Sequence, residues 1–273
     1  MRLRYLLLLS LLGLLPAKAL GAENVNDLIA RHLKARGGEE KLRAMQSLRM
    51  SGTLKSLAGG EGSFEMLQKR PNSIRQQHLQ PGKKMIIGFD GKQAWAIDNS
   101  SGSDAPFVLS GIQADLIRLQ ADFDGVFLDW ARKGHKVSYV GPEALNNRKV
   151  HHIKVLRQDG KVQHFFLDAE TFLDQKISLE VVQGGTPLVL ESLLSDHKPA
   201  GGIVLPHVIE SVVNGRPQSK LILGKIEADP VLDDSLFRMP PPPADPGKDK
   251  KPPAPKSTVP AKPAKAAPPA PKS

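Results

Sequence analysis

The sequence predicts a mainly β (α+β) protein: a strongly curved antiparallel sheet forming a half-open β-barrel with a helical lid. Three observations predict it. From Leu48 onward the apolar period changes from 3.6 to 2. The alternating runs are separated by Asp90-Gly91, Asp159-Gly160, Gly184-Gly185 and Asn214-Gly215. Such dipeptides supply the positive φ angles of tight hairpins, so the strands follow one another as an antiparallel meander, not as βαβ units. One helical stretch, residues 104–123, then interrupts the meander and must bury its apolar stripe against the sheet.

Residues 24–45 read as a helix, a break and a short helix. Val25, Leu28, Ile29 and Leu33 have helical spacing after Asn24, a suitable N-cap. Gly37-Gly38 ends that run, and Glu39 and Glu40 suit the first turn of a second helix with Leu42 and Met45 on its apolar face. The first strands carry Leu48, Met50, Gly52 and Leu54, then Phe64 and Met66, then Ile74. Met85, Ile87 and Phe89 continue the pattern, followed by Trp95 and Ile97. Further strands are predicted over 136–140, 149–157, 161–168, 175–183, 187–194, 207–213 and 220–227. The stripe of the interrupting helix is Leu109, Ile112, Leu116, Leu119 and Phe123. Its simplest place is the concave face of the sheet, as a plug or lid.

The two ends of the 273-residue chain are different material. Residues 1–22 combine Arg2 and Arg4, an apolar core from Leu6 to Leu15, and small residues. This reads as a secretory signal peptide with cleavage after Ala19 or Ala22. The chain has no cysteine, so neither lipid attachment to an N-terminal cysteine nor a disulfide is expected. Residues 240–273 hold 13 of the 23 prolines, seven lysines and no aromatic residue. That composition cannot bury enough apolar surface to offset its ordering entropy, so a disordered tail is expected. Its lysines suit a weak, salt-screened attraction to anionic envelope surfaces. The net charge is +10, but the leader carries three cations and the tail a net of five positive charges. Residues 23–239 therefore hold about +2, and the basic pI is no argument for nucleic-acid binding. These 217 or so residues suffice for one β domain with a sizeable interior.

No catalytic constellation stands out. There is no Gly-x-Ser-x-Gly elbow, no phosphate-binding loop in a strand–helix context and no metal-ligand spacing. "LKARGGEE" lies between helices. His151 and His152 point to opposite faces of a strand, so at most one can join His164. Ordinary sheet-surface histidines are the expectation. Asp196-His197 reads as loop chemistry beside "KPAGG". No enzyme activity, metal or cofactor is expected. A curved sheet with an apolar concave face under helices is a container.

The stretch "GEGSFEMLQKRPNSIRQQHLQPGKKMIIGFDGKQAWAIDN", residues 60–99, resembles the LolA superfamily of periplasmic lipoprotein carriers. The pattern is Gly60-Glu61-Gly62, Lys69-Arg70-Pro71-Asn72, and Asp90-Gly91-Lys92 with Trp95. "ARGGEEKLRAMQSLRMSGTL" and "DGVFLDWARKGHKV" are similar to exported members as well, and the likeness covers residues 23–239. It implies an eleven-stranded half-barrel, lidded by helices, whose cavity accepts acyl chains of lipoproteins or lipids. It implies an inner-membrane donor and an outer-membrane acceptor. It also implies that Arg70 is a lid clamp that hydrogen-bonds lid backbone, with Lys69 pointing the other way into solvent. A planar fork that cannot be deprotonated suits that task. Met50, Phe64, Met66, Ile87, Trp95, Leu109, Ile112 and Leu116 are the candidate cavity lining. The rival is an envelope sensor or scaffold of the same fold that reports lipid or protein stress through a partner. The sequence after the barrel holds no apolar run of the kind a membrane-anchored sensor would use.

Overall fold

The computed structural model describes residues 23–57 and 60–243. The expected leader, 1–22, and the expected tail beyond residue 243 lie outside the described residues. The architecture is that of the unit ending at Pro241.

Two helices open the chain, α1 (Val25–Ala35) and α2 (Glu39–Ala44). The Asn24 side chain caps α1 by accepting the N–H of Asn26 at 3.0 Å. Gly37 and Gly38, with φ of 121° and 96°, end it by donating to the carbonyls of Lys34 and Leu33. Six strands come next: β1 (Ser47–Ser56), β2 (Gly60–Lys69), β3 (Ser73–Gln80), β4 (Lys83–Phe89), β5 (Ala94–Asp98) and β6 (Phe107–Val108). A third helix, α3 (Gly111–Ala121), succeeds them. Seven strands complete the sheet: β7 (Lys136–Leu145), β8 (Arg148–Leu156), β9 (Val162–Asp168), β10 (Asp174–Gln183), β11 (Thr186–Ala200), β12 (Ile203–Val213) and β13 (Arg216–Ala228).

All thirteen described strands form one antiparallel sheet in the order β6-β5-β4-β3-β2-β1-β13-β12-β11-β10-β9-β8-β7. The count exceeds the eleven implied by the resemblance. One of them, β6, is a two-residue edge strand, too short to show alternation. Each half is a meander, and the halves join where β1 pairs with β13. β6 and β7 are therefore the two free edges, and the sheet is a curved half-open barrel.

Alternation sorts the side chains. On the concave face, Met45, Leu48, Met50, Ile203, Leu205, Leu221 and Leu223 form a central cluster, with Phe64, Met66 and Phe123 packed against it. α1 and residues 126–128 fill the β7–β10 half, against Ile153, Val155, Phe165 and Leu167. At the β1–β13 junction Gly52 is required, because a Cβ there would stand 2.0 Å from the Ile222 carbonyl oxygen.

β11 is longer than predicted. The strand runs on through Asp196 and His197 to Ala200, although the sequence places both residues in a loop. Asp196 takes φ 54°, an irregular position within the strand that a turn-forming residue tolerates. The chain turns only at Gly201-Gly202.

The convex face of β2–β5 is covered by a strap, residues 229–239, which sequence reasoning did not anticipate. Leu232 and Phe237 pack on Leu67, and Met239 packs on Ile86, Trp95 and Ile97. The Trp95 indole N–H donates to the Phe237 carbonyl at 2.7 Å. Gly88 leaves room for that indole, since a Cβ would lie 2.3 Å from the ring. Lys69 does point away from Arg70, but into the strap: its ammonium donates to Leu232 O at 2.8 Å and Asp234 Oδ1 at 2.6 Å. Phe237 is 1 % exposed and Trp95 2 %. Phe237→Ala is expected to cost about 3–5 kcal/mol in chemical denaturation. A loss within about 0.5 kcal/mol, the range of ordinary surface changes, would show that the strap does not hold the barrel.

Candidate functional site

The site is built by the chain's route from β6 to β7. The connection must leave one sheet edge and reach the other, so it crosses the open side of the barrel. Its first half is α3. The helix begins at Gly111, not at 104, because residues 107–108 pair with β5 as an edge strand. Its buried face is Ala114, Ile117 and Ala121, with Leu109 just before it. The expected stripe of Leu109, Ile112, Leu116, Leu119 and Phe123 is therefore rotated. Ala114 and Ala121 belong to one cluster with Ala94 and Ala96 of β5, and small side chains on both elements let helix and sheet approach closely. Larger apolar residues are left at the margins of the contact.

Those margins enclose a slot of about 260 Å³ between α3 and β3–β6. Ile87, Ala96, Phe107, Leu109, Leu116 and Ile117 line it, with Gln76, Gln113 and Gln120 at one side and Met85 and Asp98 at the other. Three sequence-predicted lining residues, Ile87, Leu109 and Leu116, thus meet here. Met66 packs against both this region and the central cluster. Met50 and Phe64 belong to the central cluster alone. Ile112 lies on the other side of α3, lining a 680 Å³ gap toward β9–β11. Trp95 is a correction. Register pairs it with Gly88, one residue out of phase with Ile87 and Ala96, so it faces the convex strap and not the slot.

Few polar contacts hold α3. Gln68 Nε2 donates to Gln120 O at 2.9 Å and Gln76 Nε2 to Gln120 Oε1 at 2.6 Å. Across the gap Asp115 meets Lys161 of the β8–β9 turn at 3.3 Å. The segment after α3 is tied down harder. Phe123 N–H donates to Pro71 O at 3.3 Å. Arg43 grips both carboxylate oxygens of Asp129, at 2.6 and 2.7 Å, and holds the Asp129 carboxyl down at about 2.

Arg70 sits at the junction of these parts. Nε donates to Met45 O at 3.0 Å and Nη2 to Leu42 O at 2.9 Å, both carbonyls at the C-terminal end of α2. Nη1 donates to Asp124 Oδ1, and the guanidinium lies 5.0 Å over the Phe123 ring. Lid carbonyls are the partners expected of Arg70, and it does bind two backbone carbonyls. They belong to α2, not to the helix around Leu109–Leu119. Asp124, the charged partner, escapes sequence reasoning, because nothing in "DFDGVF" distinguishes it from a turn aspartate.

No protein family matches the sequence, and no curated protein does. Solved structures do. A DUF1329 family protein from Desulfovibrio piger superposes with a TM-score of 0.55 at 12% identity, over 80% of this chain and 98% of that one. A LolA superfamily protein from Nitrosomonas europaea gives 0.55 at 15%, over 80% and 98%. A putative outer membrane lipoprotein-sorting protein domain from Vibrio parahaemolyticus gives 0.50 at 14%, over 79% and 97%.

The chain has a LolA-like fold.

Four histidines of this LolA-like barrel, His32, His151, His152 and His164, pack among other side chains. His152 and His164 do meet, Nε2 to Nδ1 at 2.7 Å, and His152 Nδ1 contacts Glu143 at 2.5 Å. His151 faces the other way, near Tyr139 OH at 3.2 Å and stacked on Phe172. Both adjacent histidines are buried, not the surface residues expected. Among the described residues no group of three or more His, Cys, Asp or Glu could hold a metal ion. His32, on α1, is buried against Phe127, with Nδ1 2.9 Å from Phe172 O. Burial lowers its pKa from the usual 6.5, and nearby Asp174 only partly opposes this. The unfolded chain therefore binds the proton more readily than the native one. The His32 contribution to stability is fully present above pH 6.5 and is lost as the pH drops below it. Denaturation curves should show this loss between about pH 7 and pH 5, with a smaller loss in His32→Gln. An equal pH dependence in the variant would remove His32 as a cause.

Proposed function

We propose that this chain is a periplasmic carrier, exported by its leader, that binds acyl chains of lipoproteins or lipids beneath α3 and passes them toward the outer membrane. The observation that carries the reading is a helix crossing between the two sheet edges over an apolar slot. The LolA-like fold agrees with it. An inner-membrane donor and an outer-membrane acceptor complete the route.

The energetics explain why the slot is small and lidded. Each buried methylene gains about 0.8 kcal/mol, so a wholly desolvated sixteen-carbon chain gains on the order of 12 kcal/mol before ordering costs. A permanently open pocket of that depth would trap its cargo. A lid that must be displaced subtracts its own packing energy from the affinity and keeps handover feasible. α3 suits that part, because its buried face is mostly alanine and its polar ties are few. Arg70 acts at the pivot, where α3 gives way to the firmly held residues 123–129. Its fork joins α2 to Asp124 and fixes the closed position.

A fluorescent fatty-acid probe should bind the mature protein saturably; a folded sample that binds none ends the carrier reading. In Arg70→Leu, α3 should lose hydrogen-exchange protection in the empty protein. The probe should still load, but transfer to acceptor vesicles should fall. Arg70→Lys should restore only part of both, being a point charge in place of a fork. Unchanged exchange and unchanged transfer in Arg70→Leu would reduce Arg70 to an ordinary strand-end residue.

A further inference from the structure

A second, more polar space adjoins the slot beneath α3 at the hairpin end of the barrel. Met85 and Asp98 line both, so the two are neighbours along the same face. The outer space measures about 490 Å³. The register makes the transition orderly. One concave row is Gln76, Ile87 and Ala96; the next is His78, Met85 and Asp98; the last is Gln80 paired with Lys83. Each row lies about 7 Å beyond the previous one, two strand residues along. The wall therefore passes from apolar to polar over the length of part of an acyl chain.

The polar rows offer donors without acceptors. The Nε2 atoms of His78 and Gln80 are buried and have no hydrogen-bond partner. Both side chains lie over Gly62, where a Cβ would stand 2.9 Å from His78 Nε2. Burial lowers the His78 pKa and favours the neutral ring. Lys83 has no ion-pair partner among the described residues, whereas Lys84 is held by Asp104 at 2.7 Å. The acidic group at the mouth is already engaged: Asp98 accepts the Ser100 N–H at 2.9 Å as the cap of a one-turn helix. The lining sets Lys83 and Lys84 against the one carboxylate of Asp98, and an anionic acceptor matches Lys83.

We propose that the cargo of this cavity is an amphiphile with an acidic head: its chain lies in the slot beside Ile87 and Leu116, and its carboxylate or phosphate oxygens meet Lys83, Gln80 and His78. The inference rests on the carrier reading and names the cargo class. A neutral acyl tail would leave those donors unpaired, so the mouth discriminates on the head while the slot discriminates on the chain.

Calorimetric titration of the full mature chain tests it, with laurate, dodecyl phosphate and dodecanol as ligands of one chain length. The two acids should bind up to about fivefold more tightly than the alcohol, the upper range of an exposed ion pair. The preference should shrink at high salt. Lys83→Gln should bring laurate and dodecyl phosphate to the level of dodecanol and leave dodecanol unchanged. Ile87→Trp, which fills the slot, should weaken all three. Equal affinities for the three ligands in the natural protein, or an acid preference that survives Lys83→Gln, would overturn the acidic-head inference and leave the carrier reading standing. Binding of none of them would overturn both. Binding unaffected by Ile87→Trp would place the ligands elsewhere and overturn the inference.

Discussion

The pairing of β1 with β13 sets the rest of the architecture. It joins the two meanders at the centre of the sheet and leaves β6 and β7 as distant edges, although they are neighbours in sequence. Residues 109–135 must then travel from one edge to the other. They cannot run along the sheet, which is continuous. They cross its open side, and a helix is the compact way to satisfy the backbone on that passage. The lid is thus a consequence of topology, and its position over the concave face is not a free choice.

The crossing is unevenly attached. Residues 126–128 are core, packed under α1 with His32 and Phe127 edge to face at 5.2 Å between centroids. Residues 123–129 are also bound by Arg70 and Arg43. α3 rests on alanines, two glutamine bonds and one half-exposed ion pair, and such an ion pair contributes little in water. Local opening should begin where few large apolar groups are buried, and that is α3. The strap on the convex face has the opposite character. Trp95 and Phe237 are fully enclosed there, so the wall behind the slot is rigid while the helix before it is lightly held. A stiff wall and a weakly packed cover are what a reversible container needs.

The sequence is informative wherever a pattern repeats. Alternation from Leu48 onward, the glycine dipeptides and the capping at Asn24 announce the meander and the first helices. Lys69-Arg70 is legible as a pair pointing to opposite faces. The failures have physical causes. The α3 stripe is misphased because alanines count little in an apolar pattern, yet in a close helix–sheet contact they are the buried face. Trp95 looks like a cavity residue because it is large and apolar, and only register with Gly88 shows that it faces the other side. The strap is invisible because residues 229–239 have neither period. Asp124 and the unpartnered donors at His78 and Gln80 depend on where distant segments meet, which spacing along one strand does not encode.

As the cover of the slot, α3 must move for a chain to load in the proposed carrier. The protein has no cysteine, so Asp115→Cys and Lys161→Cys can be introduced at the ion pair that spans the gap and joined by a cleavable thiol crosslinker. The crosslinked protein should lose binding of a long-chain lipid probe by about tenfold or more and regain it when the linker is cleaved. Full binding by the crosslinked protein would show that loading needs no movement of α3.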